Sequence, residues 1–251
     1  MKISVALVSY NSEKYIQQQV DTILSNLGPD DELVASDDGS TDGTLGILNS
    51  YHSKDSRVKV FPIQHAGVNG NYQNAISHCS GDLIFLSDGD NVWLKDKVAK
   101  VLEVFKTHPD VWFVMHDCSV TDPDLHVVVP SLFDDRHSRP GLWKNIMKTS
   151  FCGSCMAFKK DMLRFILPFP RHMPVYYDEW IGLMALKHGK VVFLKESLLL
   201  WRRYGGSASG GFLTSDGKTV KKKKAKFKGS FKRFHERIHT RWVKLWWVLA
   251  R

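Results

Sequence analysis

The chain lacks the features of an integral membrane protein or a disulfide scaffold. In 251 residues no run approaches the ~18 apolar residues that a bilayer-spanning helix needs. Four cysteines are too few for a disulfide framework and fit a reducing compartment. The opening MKISVALVSYN has one lysine and no small-residue cleavage site, so it reads as a first strand rather than a signal peptide. Acid is nearly missing from one end. Residues 217–251 hold 13 of the 35 Lys and Arg and one acid, Glu236. The net charge of +9 therefore belongs to this tail, and the remaining body is close to neutral. That body, in a chain 43% hydrophobic and 24% charged, can bury a sizeable core.

Apolar runs alternate with helical patterns in the first half. Ile3 to Val8 is nearly all apolar with β-branched Ile3, Val5 and Val8, as a buried parallel strand requires. Asn11 and Ser12 can cap a helix running through Leu27, ended by Gly28-Pro29. Glu32–Ser36, Val58–Ile63, Leu83–Ser87 and Val111–Met115 read as further strands. Asn69–His78 and Asp96–Thr107 read as helices. This order predicts a doubly wound α/β sheet. In the second half, 121–140 reads as loop, Phe151–Phe158 and Val191–Leu194 as strands, Asp178–His188 as a helix and Gly205–Gly217 as a hinge.

Ligands of open α/β sheets bind beyond the carboxyl ends of the strands. Two acidic clusters fall there: Asp37-Asp38 after the second strand and Asp88-x-Asp90 after the fourth. Either alone is also ordinary turn chemistry; two on one sheet edge point to a site. Carboxylate oxygens at D-x-D spacing suit a hard cation, Mg²⁺ or Mn²⁺, which shares its remaining coordination with phosphate and water.

The segments VALVSYNSEKYI, DDGSTDGT, HAGVNGNYQNAISHCSGDLIFLSDGDNVWLKDK, CGSCMAFKKDML, YYDEW and WRRYGGSASG occur in that order over roughly residues 2–210. This series resembles the inverting family-2 glycosyltransferases of GT-A fold. The D-x-D-x-V-W-x-x-x-K context, with Trp93 and Lys97, resembles their bacterial rhamnosyltransferase-like branch. The resemblance implies a Rossmann-like mixed α/β sheet flanked by helices, with a basic amphipathic C-terminal helical tail outside the match. Residues 1–115 would be the nucleotide-sugar-binding half and 116–210 the acceptor-binding and catalytic half, with hinge and tail at 211–251. Val8, Ser9 and Tyr10 would border the base, with Asp38 and, more weakly, Asp37 on base or ribose. Asp88 would meet ribose or metal, Asp90 would ligate the metal, Asp178 would be the general base and Arg202 would close on the donor phosphates. The implied activity is metal-dependent hexosyl transfer, with Mg²⁺ or Mn²⁺, from a nucleotide-diphosphate sugar to a glycan or lipid-linked acceptor. Its products would be bacterial surface polysaccharides such as O-antigen or capsule, made in the cytoplasm at the inner face of the membrane.

Three positions depart from the branch: Asn91 where an Asp is frequent, Gly89 for a common Gln, and Tyr204 for a His. Asn91 and Tyr204 keep open a non-catalytic nucleotide-sugar or membrane-binding scaffold. A nucleotidyltransferase is a second rival, but no phosphate-activating G-x-G-x-x-x-x-R loop is present. No nucleic-acid fold accompanies the basic tail. Glu179, beside Asp178, is a rival base. Cys152-x-x-Cys155 has the spacing of a redox or zinc pair, but zinc would need two more ligands, and neither Cys79 nor Cys118 forms a second pair; small buried residues are expected. The eleven histidines show no metal-ligand spacing. Trp93, Trp112 and Trp143 read as core or site-wall aromatics. In the tail, Phe227, Phe231, Phe234, Ile238, Trp242, Leu245, Trp246 and Leu249 trace one helical stripe opposite most of the cations. Such a helix can lie in a membrane interface or pack on protein.

Overall fold

A computed structural model describes residues 1–171, 175–205, 212–213, 219–220, 243–246 and 249. Its first half runs β1 (Ile3–Ser9), α1 (Glu13–Leu24), β2 (Glu32–Asp37), α2 (Thr44–Lys54), β3 (Val58–Val60), α3 (Gly67–Ser77), β4 (Leu83–Asp88), β5 (Val92–Trp93) and α4 (Lys97–Thr107). The second half runs β6 (Val111–Thr121), β7 (Val127–Val129), α5 (Leu132–Arg136), α6 (Leu142–Met147), β8 (Met156–Lys159), α7 (Leu163–Ile166), α8 (Tyr177–His188) and β9 (Lys190–Arg202). One mixed sheet carries them in the order β3-β2-β1-β4-β8-β6-β9-β5, with β7 beside β6.

The apolar runs explain the central strands. β1 is buried at every position, and β2 likewise, because helices cover both faces of the parallel β3-β2-β1-β4 block. α1 turns Tyr15, Ile16, Val20 and Ile23 inward at helical spacing. Fully burying one such Ile or Val contributes about 1.5–3 kcal/mol. At the edge remote from the acidic clusters, buried Glu32 is tied to Lys59 (2.6 Å), Ser4 (2.5 Å) and Ser80. Burial alone would raise its carboxyl, but these hydrogen bonds win and hold it at about 2.

The register sets the site. Ser9 on β1 lies opposite Asp37 on β2, and Val8 lies opposite Asp88 on β4. Both acidic clusters therefore leave the sheet at one end, on either side of β1. β5 pairs antiparallel with β9, Val92 against Leu200, so the turn after Asp88 is sewn to the strand that ends in Arg202.

Several elements differ from the sequence reading. α1 ends at Leu24, three residues before Leu27, and Ser12 makes no side-chain cap. Its first amides are satisfied from the DDGSTDGT loop instead: Ser12 N–H donates to Thr44 Oγ1 (2.8 Å) and Glu13 N–H to Asp42 Oδ2 (3.1 Å). Asn11 Oδ1 in turn accepts from Thr41 N–H at 2.9 Å. Segment 121–140 contains β7 and α5. The strand read at Val111–Met115 continues to Thr121, and that read at Val191–Leu194 extends to Arg202, because the two pair with each other along this length through register shifts. Phe151–Phe158 is a strand only from Met156; a 3₁₀ turn, Gly153–Cys155, precedes it. Trp93 is buried, whereas Trp143 is 67% exposed and belongs to no core. All four cysteines are buried, as expected, but Cys118 does lie with Cys152 and Cys155. β6 carries it there, a pairing that chain spacing conceals. Of the hinge read at Gly205–Gly217, residues 206–211 and 214–217 lie outside the described residues, and most of the tail lies outside them too.

Candidate active site

Asp88 ends β4 half-buried and is held on both oxygens. Tyr72 Oη donates to Oδ1 at 2.8 Å and Ser154 Oγ to Oδ2 at 2.6 Å. The same Ser154 Oγ accepts from the Asp88 N–H and from Asn91 Nδ2, each at 3.1 Å. Burial pushes the Asp88 carboxyl up, against the pull of Ser154 and Tyr72. Tyr72 is fully buried and stacks on Tyr177, ring centroids 3.6 Å apart. Gly153 is needed beside this stack, because a Cβ there would stand 2.0 Å from Tyr177 Oη.

Asp90, two residues on, accepts from Tyr204 Oη at 3.0 Å through Oδ2. Burial and the Asp88 charge push its carboxyl up to about 7, despite Tyr204 and Arg202. Gly89 fits between them closely: an added Cβ would lie 3.1 Å from Ile16 Cδ1 and 3.2 Å from Val8 O. Asn91 is buried, and its Oδ1 accepts from the Arg202 N–H at 3.2 Å. It therefore braces β9 against the Asp88 turn and is not turned out as an oxygen ligand. Arg202 is also buried. Its Nε donates to Asp90 O (3.0 Å), Nη2 to Gln18 Oε1 (2.7 Å) and Nη1 to Pro123 O, and it stacks over Tyr15. These bonds make it a strut under the Asp90 loop in this conformation.

Asp178 stands in the first turn of α8, where the helix N-terminus favours a negative charge. Asn69 in α3 positions that turn by accepting from the Tyr177 N–H at 2.8 Å. Burial, with the charges of Cys152, Glu179 and Asp88 adding, pushes Asp178 up to about 7. Glu179 is buried and ion-paired with Lys244, and Leu245 packs on the core. Residues 243–246 thus dock on the domain beside α8, while Trp246 and Leu249 stay exposed. The rest of the predicted tail stripe lies outside the described residues.

On the other side of β1, Ser9 Oγ donates to Asp37 Oδ2 at 2.7 Å, and Ser40 occupies both Asp37 oxygens. Asp38 accepts from Ala66 N–H (2.7 Å) and Gly67 N–H (2.9 Å), fixing the start of α3. Gly39, at φ +77°, lets the chain turn between them and Ser40. Val8 is buried and Tyr10 is 54% exposed. The fold thus brings Val8–Tyr10, Asp37, Asp38, Asp88 and Asp90 to one sheet end. Sequence reasoning missed Tyr72, Ser154 and Asn69. Each lies far along the chain from the carboxylate or helix it holds, and none carries a local signal.

The family model for glycosyl transferase family 2 matches residues 4–167. The chain belongs to glycosyl transferase family 2. A Nostoc sp. relative, the uncharacterized glycosyltransferase alr2836, is 27% identical over 215 residues, covering 82% of this chain and 66% of the relative. A Bacillus subtilis protein, TuaG, provisionally named a teichuronic acid biosynthesis glycosyltransferase, is 35% identical over 102 residues, 40% of each chain. The solved structure of S. aureus TarS residues 1–349 with UDP-GlcNAc aligns with a TM-score of 0.67 at 20% identity. That alignment covers 82% of this chain and 60% of the TarS 1–349 chain, and it establishes the GT-A fold. The family 2 chain thus spans less than two-thirds of the length of each of these proteins.

A divalent cation fits this family 2 site on its own chemistry. Asp88 and Asp90 offer hard oxygen donors whose ionisation burial opposes, and the Asp88 charge further raises Asp90. No lysine or arginine forms an ion pair with either among the described residues. A cation there would relieve that cost.

Proposed function

We propose that the protein is an inverting glycosyltransferase that moves a hexosyl or deoxyhexosyl group from a nucleoside-diphosphate sugar to a glycan or lipid-linked hydroxyl. Rhamnose is among the donors proposed. The observation that carries the reading is the placement of Asp88 and Asp90 at the sheet end together with Asp178 held near neutral pH. Residues 1–115 would hold the donor and 116–210 the acceptor; Tyr10, which is exposed, and Asp38 would border the base.

Asp88 and Asp90 would hold Mg²⁺ or Mn²⁺, which neutralises the leaving pyrophosphate when bound. Tyr72, Ser154 and Tyr204 keep the two carboxylates oriented. Asp178 takes the acceptor proton as the hydroxyl attacks opposite the leaving group, so one displacement inverts the anomeric centre. A carboxylate near 7 is well matched to that task, and general-base help is worth ~10²- to 10⁴-fold. Glu179 is the weaker base because Lys244 already claims it. Arg202 would reach phosphate only by giving up hydrogen bonds it now makes.

A role in bacterial surface polysaccharide synthesis rests on the name of TuaG. Among the described residues no helix is long and apolar enough to cross a membrane. The cationic tail would supply peripheral contact at the inner face of the cell membrane. The test is a screen of UDP-, dTDP- and GDP-sugars, with Mg²⁺ or Mn²⁺ and lipid-linked acceptors, for nucleotide release and product. Tight donor binding with no turnover on any acceptor would favour the scaffold reading.

A further inference from the structure

Behind Asp88 lies a second cluster that this reaction does not use. Cys118 in β6 meets Cys152 and Cys155, which flank the Gly153-Ser154 turn. The three Sγ atoms lie within 4.8 Å of one another, and all three residues are buried. Thiolates bound to one Zn²⁺ at about 2.3 Å stand about 3.8 Å apart, so only a small closure is needed.

Lys97 supplies the second observation. Its side chain is fully buried, donates to Ser154 O at 2.9 Å and sits 3.8 Å over the Trp93 ring. No carboxylate lies within ion-pair distance of it among the described residues. A buried cation without an anion is costly, and burial pushes the Lys97 amine down to about 7. Three thiolates with one divalent ion carry one net negative charge, which Lys97 in its ammonium form would balance.

The geometry points to a thiolate metal site in which Cys118, Cys152 and Cys155 bind one thiophilic divalent ion, Zn²⁺, with Lys97 as its buried counter-charge. Each thiol releases its proton as its sulfur–metal bond forms; no oxidant takes part. Three protein ligands leave a fourth position for water or a small thiol. The site is separate from the Asp88–Asp90 pair in ligand chemistry, soft sulfur against hard oxygen. It is joined to that pair through Ser154, whose Oγ holds Asp88 and Asn91 while its carbonyl accepts from Lys97. A filled site would therefore stiffen the turn that orients Asp88.

The test uses the full chain, reduced, stripped with chelator and titrated anaerobically with Co²⁺. One equivalent should bind with a thiolate-to-cobalt charge-transfer band, and equimolar Zn²⁺ should displace it. Cys118→Ser, Cys152→Ser and Cys155→Ser should each weaken binding at least ~10-fold. Asp90→Asn should keep the band, which separates this site from the proposed donor-site metal. Absence of the band in the parent protein would overturn the proposal, as would a band unchanged in Cys118→Ser. If the serine variants do not fold, alkylation of the parent chain, counted by intact mass, decides. In mild denaturant that exposes the buried thiols, Zn²⁺ should slow the labelling of three of them relative to the chelated chain, and equal rates in both states would overturn the site. A disulfide within the trio of the reduced, Zn²⁺-treated protein would do the same.

Discussion

Tyr72→Phe is a narrow perturbation of the proposed metal site. It removes one oxygen and leaves the ring, so the 3.6 Å stack on Tyr177 and the burial of both rings persist. What disappears is the 2.8 Å hydrogen bond from Tyr72 Oη to Asp88 Oδ1. A hydrogen bond to a charged group is worth about 1.5–3 kcal/mol. Its loss should therefore push the Asp88 carboxyl up further. In the proposed site the ionised carboxylate would be the metal ligand, so a proton would then compete more strongly. Mn²⁺ affinity should fall by ~10- to 100-fold where Asp88 is protonated, and the gap should close as pH rises past its shifted pKa. The assay is Mn²⁺ titration of parent and variant by isothermal calorimetry at pH 6, 7, 8 and 9. Ser154→Ala, which removes the 2.6 Å bond to the other oxygen, should show the same pH signature. An affinity gap that is absent, or equally large at every pH, would refute the reasoning.

The remaining predictions address the base, the acidic pair and the tail. Asp178→Asn should leave donor binding nearly intact and lower turnover by at least ~10²-fold, and the parent's rate should rise with pH through about 7 as Asp178 ionises. A crippled Glu179→Gln beside a near-normal Asp178→Asn would move the base to Glu179. Asp90 is raised from 3.8 to about 7, so its stability contribution is full below about 4 and is lost as pH rises through 7. Adding Mn²⁺ to the metal-free protein should therefore raise the thermal midpoint more at pH 8 than at pH 5, and Asp90→Asn should erase the difference; an equal response at both pH values counts against the pair. The full chain should sediment with anionic liposomes at low salt, and a chain ending at Gly217 should not, with equal sedimentation removing the tail from membrane contact.

The sequence by itself determined the frame of this protein. The near-continuous apolar runs Ile3–Val8 and Leu83–Leu86 read as buried strands, and both are. The ordered motifs gave the family, and the family model agrees over 4–167. Asp and Gly at strand ends marked the sheet end where both acidic clusters do lie, because parallel strands start and stop in step. The second half was harder to read. β6 and β9 run to Thr121 and Arg202 only because each supplies the other's hydrogen bonds, and no local pattern encodes a partner 80 residues away. The tertiary structure alone decided what each polar side chain does. It made Asn91 a brace, Arg202 a strut and Asn69 a cap for a helix more than 100 residues on. It also brought Cys118 to a pair that spacing had left incomplete. The physical reason is range. Apolar periodicity and turn chemistry act over a few residues and are written in the chain. Hydrogen-bond satisfaction and charge depend on which distant groups share a buried volume, and the packed fold settles that.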